Sequence, residues 1–211
     1  MNPDSRTRMV RSAAALISTC GLTATSFSEV LAHSGAPRGS IYHHFPDGKK
    51  QLAAEAVRWT SDQILTHLRA TPATTAAEVL DWFVALFRDA VLRSGGAAGC
   101  AVAGVALDTG AEDADLIPVV REAFEAWMAL LVEQLEAVGV PVHRAEPIAL
   151  AALASLEGAL ILCRATGDTR PLDIVAAELT RLLPPENAGA SSRSRPKPRT
   201  GSTKSPTAAD G

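Results

Sequence analysis

Gly21 and Gly35 bracket the stretch that most constrains this chain, LTATSFSEVLAHS, and a second stretch, APRGSIYHHF, follows at once. Glycine stops a helix at its C′ position without a Cβ penalty. With an N-cap at Thr25 or Ser26, the helix that ends at Gly35 has about two turns. Thr25 and Ser26 offer oxygens to its N-terminus, and Phe27, Val30 and Leu31 share its inner face. Ahead of Gly21, a longer helix capped by Asp4 or Ser5 puts Met9, Ala13, Leu16 and Ile17 on one side. Arg6, Arg8 and Arg11 fall largely on the other. Beyond Gly35 a third, short helix is expected, with Pro37 at its first position, where a missing N–H costs nothing. Helix, tight turn and short helix together make a helix-turn-helix.

The rest of the chain reads as helix too. Its residues are 47% hydrophobic but only 4% aromatic, so Ala, Leu and Val must build the core, and the first two are strong helix formers. A fourth helix begins near Gly48 and carries Leu52, Ala56, Trp59, Ile64 and Leu68. Further helical patterns cover 76–92, 101–107, 116–138, 146–164 and 172–183, separated by Gly, Pro and an acidic loop, DTGAEDAD. The pattern over 146–164 is apolar on every side except at Ser155 and Glu157, which calls for burial on all faces and hence for a second copy of the chain. The longest apolar run, 147–163, contains Glu157 and is shorter than the ~20 residues of a membrane span. No membrane partner is expected.

Charge divides the chain in three. Residues 1–58 carry seven basic and four acidic side chains, residues 59–183 eight and seventeen, and residues 184–211 five and two. A basic front on an acidic body suits a nucleic-acid module joined to a module of another kind. The expected organisation is a DNA-binding domain over 1–58, a helical ligand-binding and dimerisation domain over 59–183, and a disordered basic Ser/Pro-rich tail over 184–211. Cys20, Cys100 and Cys163 are scattered, without a CxxC, and the N-terminal MNPDSRTRMV leads into no unbroken apolar segment. Both point to reduced thiols and a cytoplasmic protein.

In a helix-turn-helix the second helix enters the DNA major groove while the first crosses the backbone. Arg38 can pair with a guanine in bidentate fashion, a contact worth ~1–3 kcal/mol of discrimination. Gly39 leaves no side chain between helix and DNA, Ser40 is short enough for a base edge or phosphate, and Tyr42 and His43 face outward toward phosphates. Ser26, Pro37 and Lys49 complete the expected DNA contacts, with Lys50 an alternative to Lys49. His43 and His44 are an unsuitable metal pair, because neighbours on a helix diverge by about 100° and no HExxH pattern is present. No metal and no cofactor are expected.

The run from Arg11 to Leu52, with Gly21, Gly35, the core SIYHHF and then Lys49, resembles the DNA-binding domain of TetR-family transcriptional repressors. Pro37 departs from the family's frequent capping Ser or Thr, and FPDGKKQL holds one residue more than its usual spacing. The stretch GAPRGSIYHHFPDGK resembles the branch typified by repressors of lincomycin and multidrug efflux genes, and GCAVAGVALD, EAFEAWMALLVEQL and SLEGALILCRATGDTRPLDIV agree more loosely. The resemblance implies an all-α fold, a non-enzymatic repressor and a homodimer built through the helices near 116–138 and 146–164. It also implies a palindromic operator and release by a small lipophilic or cationic effector. A constitutive dimeric regulator without a ligand is the alternative, and an all-α enzyme a remoter one, since no catalytic grouping is visible. Trp82, Phe83, Phe87, Trp127 and Met128 stand at helical spacing as either core residues or pocket walls. Glu157 either pairs with an arginine or backbone donor or recognises a cationic ligand.

Overall fold

The computed structural model describes residues 4–184. The described residues form nine α-helices and one 3₁₀ segment, without strands. The basic tail expected over 184–211 lies, apart from Pro184, outside them.

Helix α1 (Ser5–Ala24) is capped by the Asp4 side chain, which accepts from the Thr7 N–H at 2.7 Å. Its regular course ends at Gly21, whose φ of 83° and ψ of 168° only glycine adopts readily. Helix α2 (Phe27–Ser34) opens on a capping box in which Ser26 Oγ accepts from the Glu29 N–H and Glu29 accepts from the Ser26 N–H. Gly35, left-handed at φ 63°, closes it. Helix α3 spans Ser40–His44 and begins three residues later than expected. Pro37 is not its first residue; it heads a turn in which the Ser40 N–H donates to the Pro37 carbonyl at 3.0 Å, so Arg38 and Gly39 belong to that turn. Ile41 and Phe45 are wholly buried and anchor α3, which packs against α1.

Helix α4 (Gly48–Ala70) runs from this unit into the body. There it meets α5 (Ala76–Arg93), α6 (Ala101–Asp108), the 3₁₀ segment (Ala111–Leu116) and α7 (Ile117–Ala137). The body is completed by α8 (Val142–Thr166) and α9 (Arg170–Arg181), which pack on each other and on α5. The N-terminal unit is not a free appendage, because α1 packs against α6 as well as α4. The Asp108 carboxylate at the end of α6 accepts from the Thr23 N–H at 2.9 Å. Between α5 and α7, Phe83, Phe87, Trp127 and Phe124 make a chain of edge-to-face contacts with centroids 5.4–6.4 Å apart. Trp127 is fully buried and its indole N–H finds Ser61 Oγ on α4 at 3.1 Å.

Helix α8 departs from the reading of an apolar run too short for a membrane. The flanking residues 142–146 are helical as well, and its 25 residues are long and apolar enough to cross one by length and composition. Nine of them, including Leu153, Leu156 and Leu160, are instead buried within the single chain. The opposite side is open, with Leu150, Ile161 and Leu162 each more than half exposed.

Candidate nucleic-acid interface and effector cavities

The residues expected to meet DNA lie at the N-cap of α2, in the Pro37–Ser40 turn and in α3, with Lys49 in the first turn of α4. Arg38, Gly39, Tyr42 and His43 are exposed, and Tyr42 reaches 70%. Tyr42 is held upright by an edge-to-face contact with Phe27 of α2, at 5.6 Å between centroids. Ser26, Phe27 and Lys49 border one small crevice, which brings Ser26, Lys49 and Tyr42 together at the N-terminal end of α2. As an N-cap, Ser26 uses its oxygen to accept and keeps its hydroxyl proton for an acceptor such as phosphate. The Ser40 hydroxyl, by contrast, donates to the Pro37 carbonyl at 2.7 Å, so it stiffens the turn and offers DNA only its lone pairs.

The two lysines part company. Lys49 Nζ donates to the Thr23 carbonyl at 3.1 Å and stays beside the N-terminus of α2. Lys50 turns to the body, with Nζ 3.4 Å from Asp113 and 3.5 Å from Asp115 of the 3₁₀ segment. Desolvation works to lower the Lys50 pKa, but its bonds and charges at Asp113 and Asp115 outweigh it, so the net shift is upward. His43 and His44 stack edge to face at 5.4 Å. Among the described residues no three His, Cys, Asp or Glu side chains are grouped to hold a metal.

Two hollows flank the aromatic chain. The first is a cavity of ≈ 660 Å³ at the junction of the N-terminal unit and the body, walled by α1, α2, α4, α5 and the start of α6. The second is a groove of ≈ 600 Å³ between α7 and α8. Of the residues expected to line a pocket, Phe87 borders the junction cavity, while Met128 and Glu157 border the groove. Phe83 and Trp127 are fully buried and border neither hollow, Trp127 lying between Phe87 of the cavity and Phe124 of the groove. Trp82 points away at 42% exposure and borders neither hollow, because the helix turns about 100° between it and the buried Phe83. The junction residues Arg8, Arg11, His33 and Trp59 escaped the sequence reading, since they come from three helices whose adjacency no local pattern announces.

Glu157 found no arginine. One carboxylate oxygen, Oε1, is buried without a hydrogen-bond partner. Burial pushes its pKa up to about 7, opposed by hydrogen bonding from the Cys100 thiol. Burial also drives the Cys100 pKa well above the usual thiol range, with the Glu157 charge adding to it. Cys100 borders the junction cavity and Glu157 the groove, so this pair bridges the wall between the two hollows.

Comparison with known proteins agrees with this architecture. Residues 10–56 match the family described as bacterial regulatory proteins, tetR family. Residues 76–178 match the family described as transcriptional regulator LmrA/YxaF-like, C-terminal domain. The uncharacterized HTH-type transcriptional regulator Rv0196 of Mycobacterium tuberculosis is 40% identical over 183 residues, spanning 84% of this chain and 93% of that protein. The HTH-type transcriptional regulator LmrA of Bacillus subtilis is 28% identical over 182 residues, spanning 85% and 97%. The crystal structure of a TetR transcriptional regulator from Legionella pneumophila shares the fold, with a TM-score of 0.77 over 87% of this chain and all of that one, at 24% identity.

Proposed function

The chain belongs to the TetR family of DNA-binding transcriptional regulators, with an LmrA/YxaF-like C-terminal domain, and from that premise we propose that it is a dimeric repressor that leaves a palindromic operator when a small, largely apolar molecule binds its body. The observation that carries this reading is the outer surface of α2, the Pro37–Ser40 turn and α3, where Arg38, Tyr42 and His43 stand exposed on a buried anchor of Ile41 and Phe45. Ser26, Lys49 and Tyr42 hold phosphates, and Arg38 reads a base edge from the turn ahead of α3. Lys49 rather than Lys50 is the phosphate contact, because Lys50 is engaged with Asp113 and Asp115.

Two such units reading a palindrome need a dimer that spaces them by about one DNA turn, ~34 Å. The exposed stripe of α8, Leu150, Ala154, Gly158, Ile161 and Leu162, supports an interface centred on that helix. The open face of α7 carries Arg121, Glu122, Glu125 and Glu133 and is the poorer apolar surface, whereas α9 adds an exposed Ile174. No catalytic role is assigned to any residue, and the protein acts in the cytoplasm.

The experiment is fluorescence anisotropy on DNA selected from a randomised pool, repeated across salt concentrations. Arg38→Ala is expected to relax sequence preference. Lys49→Ala is expected to weaken binding to all sequences alike and to make the salt slope shallower by about one unit. Binding without sequence preference or salt dependence would sink the reading. A constitutive regulator would instead show no ligand that raises its melting temperature by mass action.

A further inference from the structure

We propose that the junction cavity is an effector site built for a lipophilic anion, which binds between the DNA-binding unit and the body and loosens the seat of the recognition helix. The proposal rests on the ligand-responsive reading above and names the chemistry of the ligand. At ≈ 660 Å³ the cavity is of the size that holds a drug-sized molecule. Its apolar wall comes from Trp59 and Ile64 on α4 and from Leu86 and Phe87 on α5.

The ionisable groups that line it are Arg8, Arg11, His33, Arg93 and Cys100, and none of the lining residues is a carboxylate. Arg93 has its counter-ion in Asp89 at 2.6 Å, and both side chains are mostly exposed. Arg11 sits with its guanidinium carbon 5.9 Å from the centre of the Trp59 ring, where a flat anion can pair with the fork while its body lies on the aromatic wall. A cation would meet only like charge here. The acidic lining is elsewhere, in the α7–α8 groove, where Glu125, Glu146 and Glu157 face a single Arg121.

The position of the cavity couples it to DNA. Arg8 on α1 donates from Nε to the Ser34 carbonyl at 3.3 Å and from its terminal nitrogen to Ser5 Oγ at 3.2 Å. His33 Nδ1 pairs with Ser12 Oγ at 3.0 Å. The Arg8–Ser34 and His33–Ser12 contacts tie α1 to the last turn of α2, directly before Gly35 and the turn that leads into α3. An anion that recruits Arg8 or His33 competes with these ties. It therefore prefers a state in which α2 and α3 are no longer held in the DNA-reading position. That differential affinity is what release from the operator requires.

The test uses three probes with one ring system and three charges at pH 7: 2-naphthoate, 2-naphthol and 2-naphthylmethylammonium. Binding to the full chain is measured by calorimetry, and DNA binding by anisotropy on the same samples. Naphthoate is expected to bind at least tenfold more tightly than the other two. In Arg11→Gln its affinity should fall to that of naphthol. Ala90→Phe, which fills the cavity from α5 and leaves its charges alone, should abolish binding of all three. Naphthoate that binds no better than the ammonium, or fails to bind at 1 mM, overturns the ligand class. Undiminished binding to Ala90→Phe overturns the site. DNA binding that persists at saturating naphthoate overturns the coupling. Absence of sequence-specific DNA binding by the ligand-free protein would instead refute the repressor reading, whatever the probes do.

Discussion

Replacing Glu157 by glutamine keeps the shape of a largely buried side chain and removes its ability to ionise. In the wild-type chain burial raises the Glu157 pKa from the ordinary 4.5 to about 7. Below pH 4.5 folded and unfolded chains both hold the proton, and the residue has no effect on the pH dependence of stability. Between 4.5 and 7 the unfolded chain gives up its proton while the folded chain keeps it. The folded state then binds more protons, so stability falls as pH rises. Above pH 7 both forms are ionised and the loss is complete. A displacement of this size corresponds to about 3 kcal/mol. Urea denaturation of both proteins at one fixed concentration, from pH 4 to pH 8.5, measures it. Glu157→Gln should match the wild type near pH 4 and exceed it by up to about 3 kcal/mol at pH 8. A difference that does not change with pH, or a wild type that gains on the variant as pH rises, would refute the argument that this carboxyl is desolvated without a cationic partner.

Gly21→Ala should destabilise the protein by about 1–3 kcal/mol in thermal or urea unfolding, because φ is 83° and the new Cβ would lie 2.6 Å from Asp108 Oδ2. Trp127→Phe should cost about 1–3 kcal/mol by leaving the buried Ser61 hydroxyl without its indole donor, and Ser61→Ala in the same background should recover part of it. Ile161→Glu places a charge in the open stripe of α8. Sedimentation should show monomers with helix content intact and DNA affinity reduced by a factor of ten or more, and a dimer unaffected by it would move the interface elsewhere.

Local pattern was enough for the helices. The glycines at 21 and 35, the capping Ser26 and the 3.6-residue recurrence of Val79, Phe83 and Leu86 act within a few residues of one another, and such effects survive without any knowledge of the fold. The same holds for the recognition unit, whose Ile41 and Phe45 are four apart and buried together. Helix α3 starts later than the local spacing predicts because the Ser40 N–H and hydroxyl close a turn on the Pro37 carbonyl, which takes Arg38 and Gly39 out of the helix. Trp82 and Phe83 are neighbours in sequence and look equally eligible for a pocket, but a helix turns about 100° between them and sends one to solvent and the other to the core. Lys49 and Lys50 are separated by the same rotation, and only the arrival of the 3₁₀ segment gives Lys50 its acidic partners.

Sequence alone therefore determined that the chain is all helix, that it carries a helix-turn-helix near its N-terminus, and that one later helix has more apolar surface than one chain can cover. Those properties depend on periodicity and on single residues with special backbone freedom. Tertiary structure decided which side of α8 stays open, which lysine remains beside α2, and that Glu157 meets a thiol instead of an arginine. It also decided that Arg8, Arg11, His33 and Trp59 share one cavity, since they are brought together by the packing of α1, α2 and α4. Adjacency across 48 or more positions, as between Arg11 and Trp59, is set by how helices cross, and no local spacing encodes it.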